Sequence, residues 1–336
     1  SAGANPGPLC YDRGGTNPTV TDANVLLGYI NPAYLVGGEL KLDSERSRRY
    51  FQDMLAKPLG VDVTTAAYAA RQIAISNMIR AIKAVTSERG RDPRRFTLFA
   101  LGGNGALFAA GMASELGIRR ILVPPSAGLF SAYGLLYADI EHYHSRTFRE
   151  TLRLIRPQDW DANWGALETQ ARNQIGQDAA AGGDVQLKRL ASMRYKGQTF
   201  EITVPVPEGP LSPERIAEIE ETFGAEHERT YGHRASLDEP LQIVSIQIAA
   251  LAVCGNRLRP GKAKRHDGDP ENERSRKAYF GRESGWLDTA ILPRSALAQP
   301  RCGPCIIEEY DTTCVVPPGA TAELDAADNI VITLGA

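Results

Sequence analysis

Phe96-Thr97-Leu98-Phe99-Ala100-Leu101 is a compact apolar run, and Gly102-Gly103-Asn104-Gly105 breaks it. Ala106 to Leu116 then reads as a helix stopped by Gly117, and Ile118 to Val123 is a second apolar run closed by Pro124-Pro125. Apolar runs of this kind fit buried strands. Strand, helix and strand at short spacing predict an α/β segment with a largely parallel layer. The glycine break is the clearest local candidate for chemistry. Glycines let a ligand approach the backbone closely, and the following helix start offers unpaired N–H groups and a positive dipole end. Gly102, Gly103, Asn104 and Gly105 fit a nucleotide contact or a tight turn without ligand. Their spacing is neither G-x-G-x-x-G nor a P-loop, so the glycines alone leave both open.

Upstream, Thr64 starts a long helix. Ala70, Ala74, Met78 and Ile82 fall at i, i+4, i+8 and i+12, with Ile75, Ile79 and Val85 beside them. Such a stripe faces a core. Asp43 or Ser44 caps a shorter helix to about Leu55, ended by Pro58-Leu59-Gly60, and Thr21 or Asp22 caps a short one before Val25. Residues 1–45 are otherwise turn-rich. Asp12-Arg13-Gly14-Gly15-Thr16 is similar to the phosphate loop of sugar kinases and actin. Such a loop joins two apolar strands, whereas Pro6-Gly7-Pro8 and Pro18 flank this one, so a plain turn is expected.

Beyond about residue 145 the texture changes. Residues 157–182 read as a helix carrying Trp160 and Trp164. Leu187 to Val206 is strand-rich with a break at Lys196-Gly197. Ser212-Pro213 caps a helix with Ile216, Ile219 and Phe223 on one face, and Leu241 to Val253 is β-rich. Residues 255–277 are polar and charged, and a solvated loop is expected there. Short strands with Pro/Gly turns follow.

With 336 residues, about two domains are expected. The 38 basic against 40 acidic residues leave a net charge of −2, which argues against a nucleic-acid binder. No apolar run reaches the ~20 residues of a membrane helix. The start lacks a signal-peptide pattern and a Met, so a piece of a longer polypeptide or a split subunit is expected. Cysteines at 10, 254, 302, 305 and 314 are too few for a disulfide scaffold, which favours free thiols and a cytoplasmic location. Cys302-Gly303-Pro304-Cys305 resembles a redox motif, but strand-like residues follow it where that chemistry wants a helix. His142 and His144 would share a strand face as a solvated pair, short of a third metal ligand. His227 continues the Phe223 face as a core-edge residue. Glu308 and Glu309 point to opposite faces of a strand.

Several blocks together resemble the hydantoinase A / 5-oxoprolinase family, which includes N-methylhydantoinase and the acetone and acetophenone carboxylase subunits. They are Ser1-Ala2-Gly3-Ala4 to Pro8, Cys10-Tyr11, Arg13-Gly14-Gly15-Thr16 and Pro18-Thr19-Val20-Thr21-Asp22-Ala23-Asn24. Further blocks are Gly102-Gly103-Asn104-Gly105, Leu116-Gly117-Ile118 and Ser131-Ala132-Tyr133-Gly134-Leu135. Arg194 to Gln198, His227 to Gly232, Gly303 to Glu308, Tyr310-Asp311 and Val316 to Gly319 complete the set. The resemblance covers essentially the whole chain. It implies the second half of an actin-like, sugar-kinase-superfamily nucleotide-binding core over 1–145, and a mixed, β-rich C-terminal α/β domain over 146–336. It also implies ATP and Mg, a phosphorylated intermediate, a cyclic amide or ketone substrate, and an oligomer with a hydantoinase B-type subunit. Gly102, Gly103, Asn104 and Gly105 would lie on the adenosine side of the nucleotide. Asp22, with Thr21 and Asn24, would lie near the cleft. No catalytic residue and no metal ligand is carried over. The family's usual Gly-Pro-Leu-His is here Gly105-Ala106-Leu107-Phe108, and its two acidic-Gly-Gly-Thr loops would lie upstream of Ser1. Amide hydrolysis, ketone carboxylation and a non-catalytic scaffold for a partner subunit are the three functions left open.

Overall fold

The computed structural model describes residues 5–33, 35, 39–178, 184–236, 239–253 and 274–335. Helix α1 (Val20–Leu26) starts at Thr19. Its hydroxyl accepts the Asp22 amide, and the Asp22 carboxylate accepts the Thr19 amide. This reciprocal box satisfies two end groups at once, so Thr19 is the cap rather than Thr21 or Asp22. Asp43 caps α2 (Ser44–Phe51), as expected; a wider turn, Gln52–Ala56, leads into α3 (Lys57–Leu59), which Gly60 ends in a left-handed conformation. Asp62 caps α4 (Val63–Val85), which buries Ile75 and Ile79 but leaves Val85 exposed at its end.

The chain continues through β1 (Leu98–Phe99), α5 (Gly105–Leu116), β2 (Arg120–Val123) and α6 (Phe130–Leu135). Next come β3 (Ile140–Thr151), α7 (Pro157–Asp178), β4 (Asp184–Tyr195), β5 (Ile202–Pro205), α8 (Pro213–Tyr231) and β6 (Leu241–Val253). The last part holds β7 (Arg274–Tyr279), α9 (Gly281–Ser284), β8 (Trp286–Leu292), β9 (Arg301–Cys302), β10 (Cys305–Glu308), β11 (Thr313–Val316), β12 (Thr321–Leu324) and β13 (Ile330–Thr333).

Packing gives two compact units. One contains the described residues of 1–87, 92–134 and 260–336, the other those of 88–91 and 135–259. β7–β13 thus pack with the first unit although they follow the second in the chain.

In the first unit one sheet runs β1-β2-β13-β12-β9. β1 and β2 are parallel, with Leu98 opposite Ile121, as the β-α-β order requires. The expected largely parallel layer stops at that pair. β13 joins β2 antiparallel, and β12 and β9 continue antiparallel. The run 96–101 is also not a buried strand. Only two of its residues pair, at the sheet edge, and Phe99 is 44% exposed. An edge strand has a neighbour on one side only, so fewer side chains flank Phe99 on its face of the sheet. A second sheet, β11-β10-β8-β7, has one parallel pair, β10 with β8. Helix α5 packs between α4 and strands of both sheets, and buries Leu107, Ala109 and Ala113 with Ile121, Ile306 and Val316. Each of the larger side chains contributes about 1.5–3 kcal/mol by leaving water.

The expected solvated loop at 255–277 needs correction at its end. Residues 255–273 lie outside the described residues, but Arg274, Ser275 and Arg276 belong to β7. Arg276 donates to the carbonyls of Gly28 and Tyr29, at 2.6 and 2.7 Å, and pairs with Glu308.

The second unit is an antiparallel sheet, β3-β6-β4-β5, packed by α7 and α8. Trp160 and Trp164 are fully buried and meet edge to face, with centroids 5.6 Å apart. Ser212 caps α8 and Pro213 begins it, as expected, and Ile219 and Phe223 are buried. His144 is buried on β3, not solvated as expected for the His142/His144 pair.

Candidate functional site

The glycine turn lies where β1 hands over to α5. Gly102 has φ +85°, a region that favours glycine, and its N–H donates to the Ala127 carbonyl at 2.7 Å. Gly105 N–H donates back to Gly102 O at 3.0 Å. Gly103 and Asn104 are exposed, and α5 begins at Gly105 without a side-chain cap. This is an open turn of bare backbone at a helix start, a geometry that can receive a polar or anionic group. A Cβ on Gly103 would meet only Asp311 O at 3.6 Å, so the space around it is not filled by protein.

Two further segments back this turn. Gly128 N–H donates to the Asp311 carboxylate at 2.9 Å, and the Thr312 hydroxyl donates to Gly103 O at 3.3 Å. The β10–β11 connection that carries them is tied down by Arg294. Its guanidinium makes two bonds to Glu309, at 2.6 and 2.7 Å, and donates to Pro124 O at 3.0 Å and Asp328 O at 2.6 Å. Glu308 and Glu309 thus each have their own arginine, Arg276 and Arg294, and form no acid/base pair. Sequence reading missed Arg294, Asp311 and Thr312 as partners of the glycine turn. Tyr310-Asp311 stood in a recognised block, yet nothing local ties it to residues near 103 and 128.

Asp22 occupies a different place, on α1. It is fully buried. One oxygen accepts Cys10 N–H at 2.8 Å and the Ser47 hydroxyl at 2.6 Å; the other accepts Leu9 N–H at 3.2 Å, Thr19 N–H at 2.9 Å and the Thr19 hydroxyl at 2.6 Å. Asn24 is buried, with its amide donating to Val20 O at 2.7 Å, and Thr21 is half-buried. Asp22 therefore gathers the N-terminal segment, α1 and α2. Helix α4 packs on both α1 and α5, linking the elements that carry Asp22 and the glycine turn. Across that contact, Arg71 donates to Leu107 O at 2.9 Å and lies between the rings of Tyr29 and Phe108, at 4.8 and 5.3 Å. Burial lowers the Arg71 pKa. Phe108, at the position of the expected family histidine, is spent on this stack.

Asp12-Arg13-Gly14-Gly15-Thr16 joins no strands. Arg46 holds it, donating to Asp12 at 2.7 Å and to Gly15 O at 2.9 Å, so it is a plain turn. His227 is buried: its Nδ1 faces His233 O at 2.9 Å and its Nε2 faces the Gln198 amide nitrogen at 3.0 Å. A carbonyl only accepts, so Nδ1 donates to His233 O and Nε2 is left to accept from the Gln198 amide. Among the described residues no cluster of three or more His, Cys, Asp or Glu could hold a metal ion.

Cys302 and Cys305 end β9 and begin β10, the strand–turn expected from sequence. Burial pushes the Cys305 thiol up to about 11, and burial with the Asp22 charge pushes Cys10 higher still. Brief alkylation near pH 8 is expected to modify Cys302, which is exposed, and to spare Cys10, Cys305 and Cys314. Peptide mass analysis showing Cys305 modified as fast as Cys302 in the folded protein would contradict this.

The chain belongs to the hydantoinase/oxoprolinase family. Residues 1–144 match its Hydantoinase/oxoprolinase model, and 151–331 match the Hydantoinase/oxoprolinase C-terminal domain. The caprolactamase subunit alpha of Pseudomonas jessenii is 31% identical over 351 residues, covering 100% of this chain and 49% of that protein. The acetophenone carboxylase gamma subunit of Aromatoleum aromaticum is 30% identical over 347 residues, covering 97% and 46%. The crystal structure of the ATP-dependent caprolactamase from Pseudomonas jessenii matches with TM-score 0.80 and 29% identity, over 100% of this chain and 49% of that one. The chain thus spans about half the length of these relatives. Among the described residues no helix is long and apolar enough to cross a membrane.

Proposed function

We propose that this chain is the C-terminal half of a cytoplasmic, ATP-dependent enzyme that opens a cyclic amide. The observation that carries this is the match of the whole chain to an ATP-dependent caprolactamase. In this reading residues 1–145 complete an actin-like nucleotide core, and Gly102, Gly103, Asn104 and Gly105 bind the adenosine side of ATP. Backbone N–H groups at the α5 start can donate to polar ligand atoms, and the exposed Gly103 leaves room for them. ATP would supply a phosphoryl group to the amide carbonyl oxygen and leave as ADP; water could then add at the carbonyl carbon as the C–N bond breaks and phosphate departs. Asp22, Thr21 and Asn24 would support the cleft from behind by ordering α1. Magnesium would be held largely by nucleotide phosphates and water, the usual arrangement for this ion. A hydantoinase B-type subunit would complete the assembly.

Ketone carboxylation is the second reading, favoured by the similarity to the acetophenone carboxylase gamma subunit. The test uses the complete protein with its co-purifying subunits. ADP release is measured with hydantoin, 5-oxoproline and caprolactam, then with acetone and acetophenone, each with and without bicarbonate. Amide-dependent release indifferent to bicarbonate supports the first reading, and ketone-dependent release that requires bicarbonate supports the second. Nucleotide turnover stimulated by neither leaves the scaffold role. Gly103→Val probes the turn, because its backbone and surroundings accept a side chain. It is expected to raise the KM for ATP at least fivefold without unfolding the protein. An unchanged KM in a folded variant would refute the assignment.

A further inference from the structure

The geometry points to Asp311 and Thr312 as positioning residues that clamp the glycine turn into its ligand-binding shape; this rests on the nucleotide role proposed for that turn. Three segments far apart in sequence meet there. The Thr312 hydroxyl holds Gly103 O, the Asp311 carboxylate holds Gly128 N–H, and Gly102 N–H holds Ala127 O. Gly128 is pressed against the clamp. A Cβ there would lie 2.1 Å from Asp311 O, closer than real side chains approach a backbone atom.

The clamp is anchored from its own side. Glu309 N–H donates to Thr312 O at 3.0 Å and closes the turn between β10 and β11. Arg294 is buried, grips Glu309 with two bonds, and donates to the Pro124 carbonyl on the segment leading to Gly128. Thr312 is itself buried. Its hydroxyl therefore serves the protein interior, not solvent.

The physical need is clear from the turn. Gly102, Gly103 and Gly105 have no side chains to lock them, and glycine loses more conformational freedom on ordering than any other residue. A ligand that had to order this backbone would bind more weakly, and a turn held beforehand avoids that cost. Asp311 and Thr312 act through Gly128 and Gly103, not on the reacting atoms.

The experiment uses the complete protein with its partner subunits and four variants: Thr312→Val, Thr312→Ser, Asp311→Ala and Asp311→Asn. Hydrogen exchange of the Gly102, Gly105 and Gly128 amides, which are hydrogen-bonded in the turn and its backing, is read without nucleotide, and KM for ATP and kcat are read in turnover. Thr312→Val and Asp311→Ala are expected to exchange about tenfold faster. They should raise the KM for ATP about fivefold, with kcat at saturating ATP within twofold. Thr312→Ser keeps the donor and Asp311→Asn keeps an acceptor, so both should stay within twofold throughout. Unchanged exchange in Thr312→Val and Asp311→Ala would overturn the clamp, as would failure of both conservative variants to restore it. Faster exchange with an unchanged ATP KM would retain the clamp and overturn the nucleotide role of the turn. Thr312→Val removes one hydroxyl at nearly constant shape, so the result does not depend on Asp311→Ala folding.

Discussion

Asp22→Ala is expected to destabilise the first unit by about 3–5 kcal/mol. The carboxylate is fully buried and takes five donors, three backbone N–H groups and two hydroxyls. Alanine leaves those donors facing a cavity, and an unsatisfied buried donor costs about 1–3 kcal/mol. Relaxation lets some donors find water, which keeps the total below the sum. Asp22→Asn retains one acceptor but turns an NH2 group toward donors, so about 2 kcal/mol is expected. Urea unfolding monitored in the first unit measures both, and hydrogen exchange at Leu9, Cys10 and Thr19 locates the loss. Exchange at these amides unchanged in Asp22→Ala would show that the carboxylate is not what orders the N-terminal segment.

Arg294→Met is expected to cost about 3–5 kcal/mol. The guanidinium is buried and bidentate on Glu309, with further bonds to Pro124 O and Asp328 O. Methionine fills much of the volume but leaves the Glu309 carboxylate without its cation, and stranding one partner of a buried pair is far more costly than losing both. Glu309→Gln in the Arg294→Met background should therefore recover part of the loss. Arg294→Lys should not rescue, because an ammonium cannot reproduce the bidentate fork. A double-mutant cycle measures the coupling between the two positions. A coupling near zero would mean that Arg294 acts through the carbonyls alone.

These roles divide along physical lines. The caps Asp43 and Ser212, the core face of α4 and the strand–turn–helix around Gly102 were all legible, because each depends on neighbours within a turn or two. Thr19, Thr21 and Asp22 are all good capping residues, and the cap of α1 lies two to three residues before the expected one. Only the observed reciprocal bonds choose Thr19. Phe99 read as buried because apolar composition does not tell an edge strand from a central one.

The sequence by itself determined the local elements, the glycine turn at a helix start, and the blocks that place the chain in the hydantoinase/oxoprolinase family. Those are properties of residues close in the chain, or of their identity. Tertiary structure alone decided that strands from the C-terminus complete the sheet begun by β1 and β2, and that Asp22 is a buried organiser of α1 and α2. It alone brought Arg294, Asp311 and Thr312 to the turn at Gly103 and Gly128. Pairing between distant segments is set by which faces bury together and which polar groups then find partners, and no local pattern in the chain records that choice.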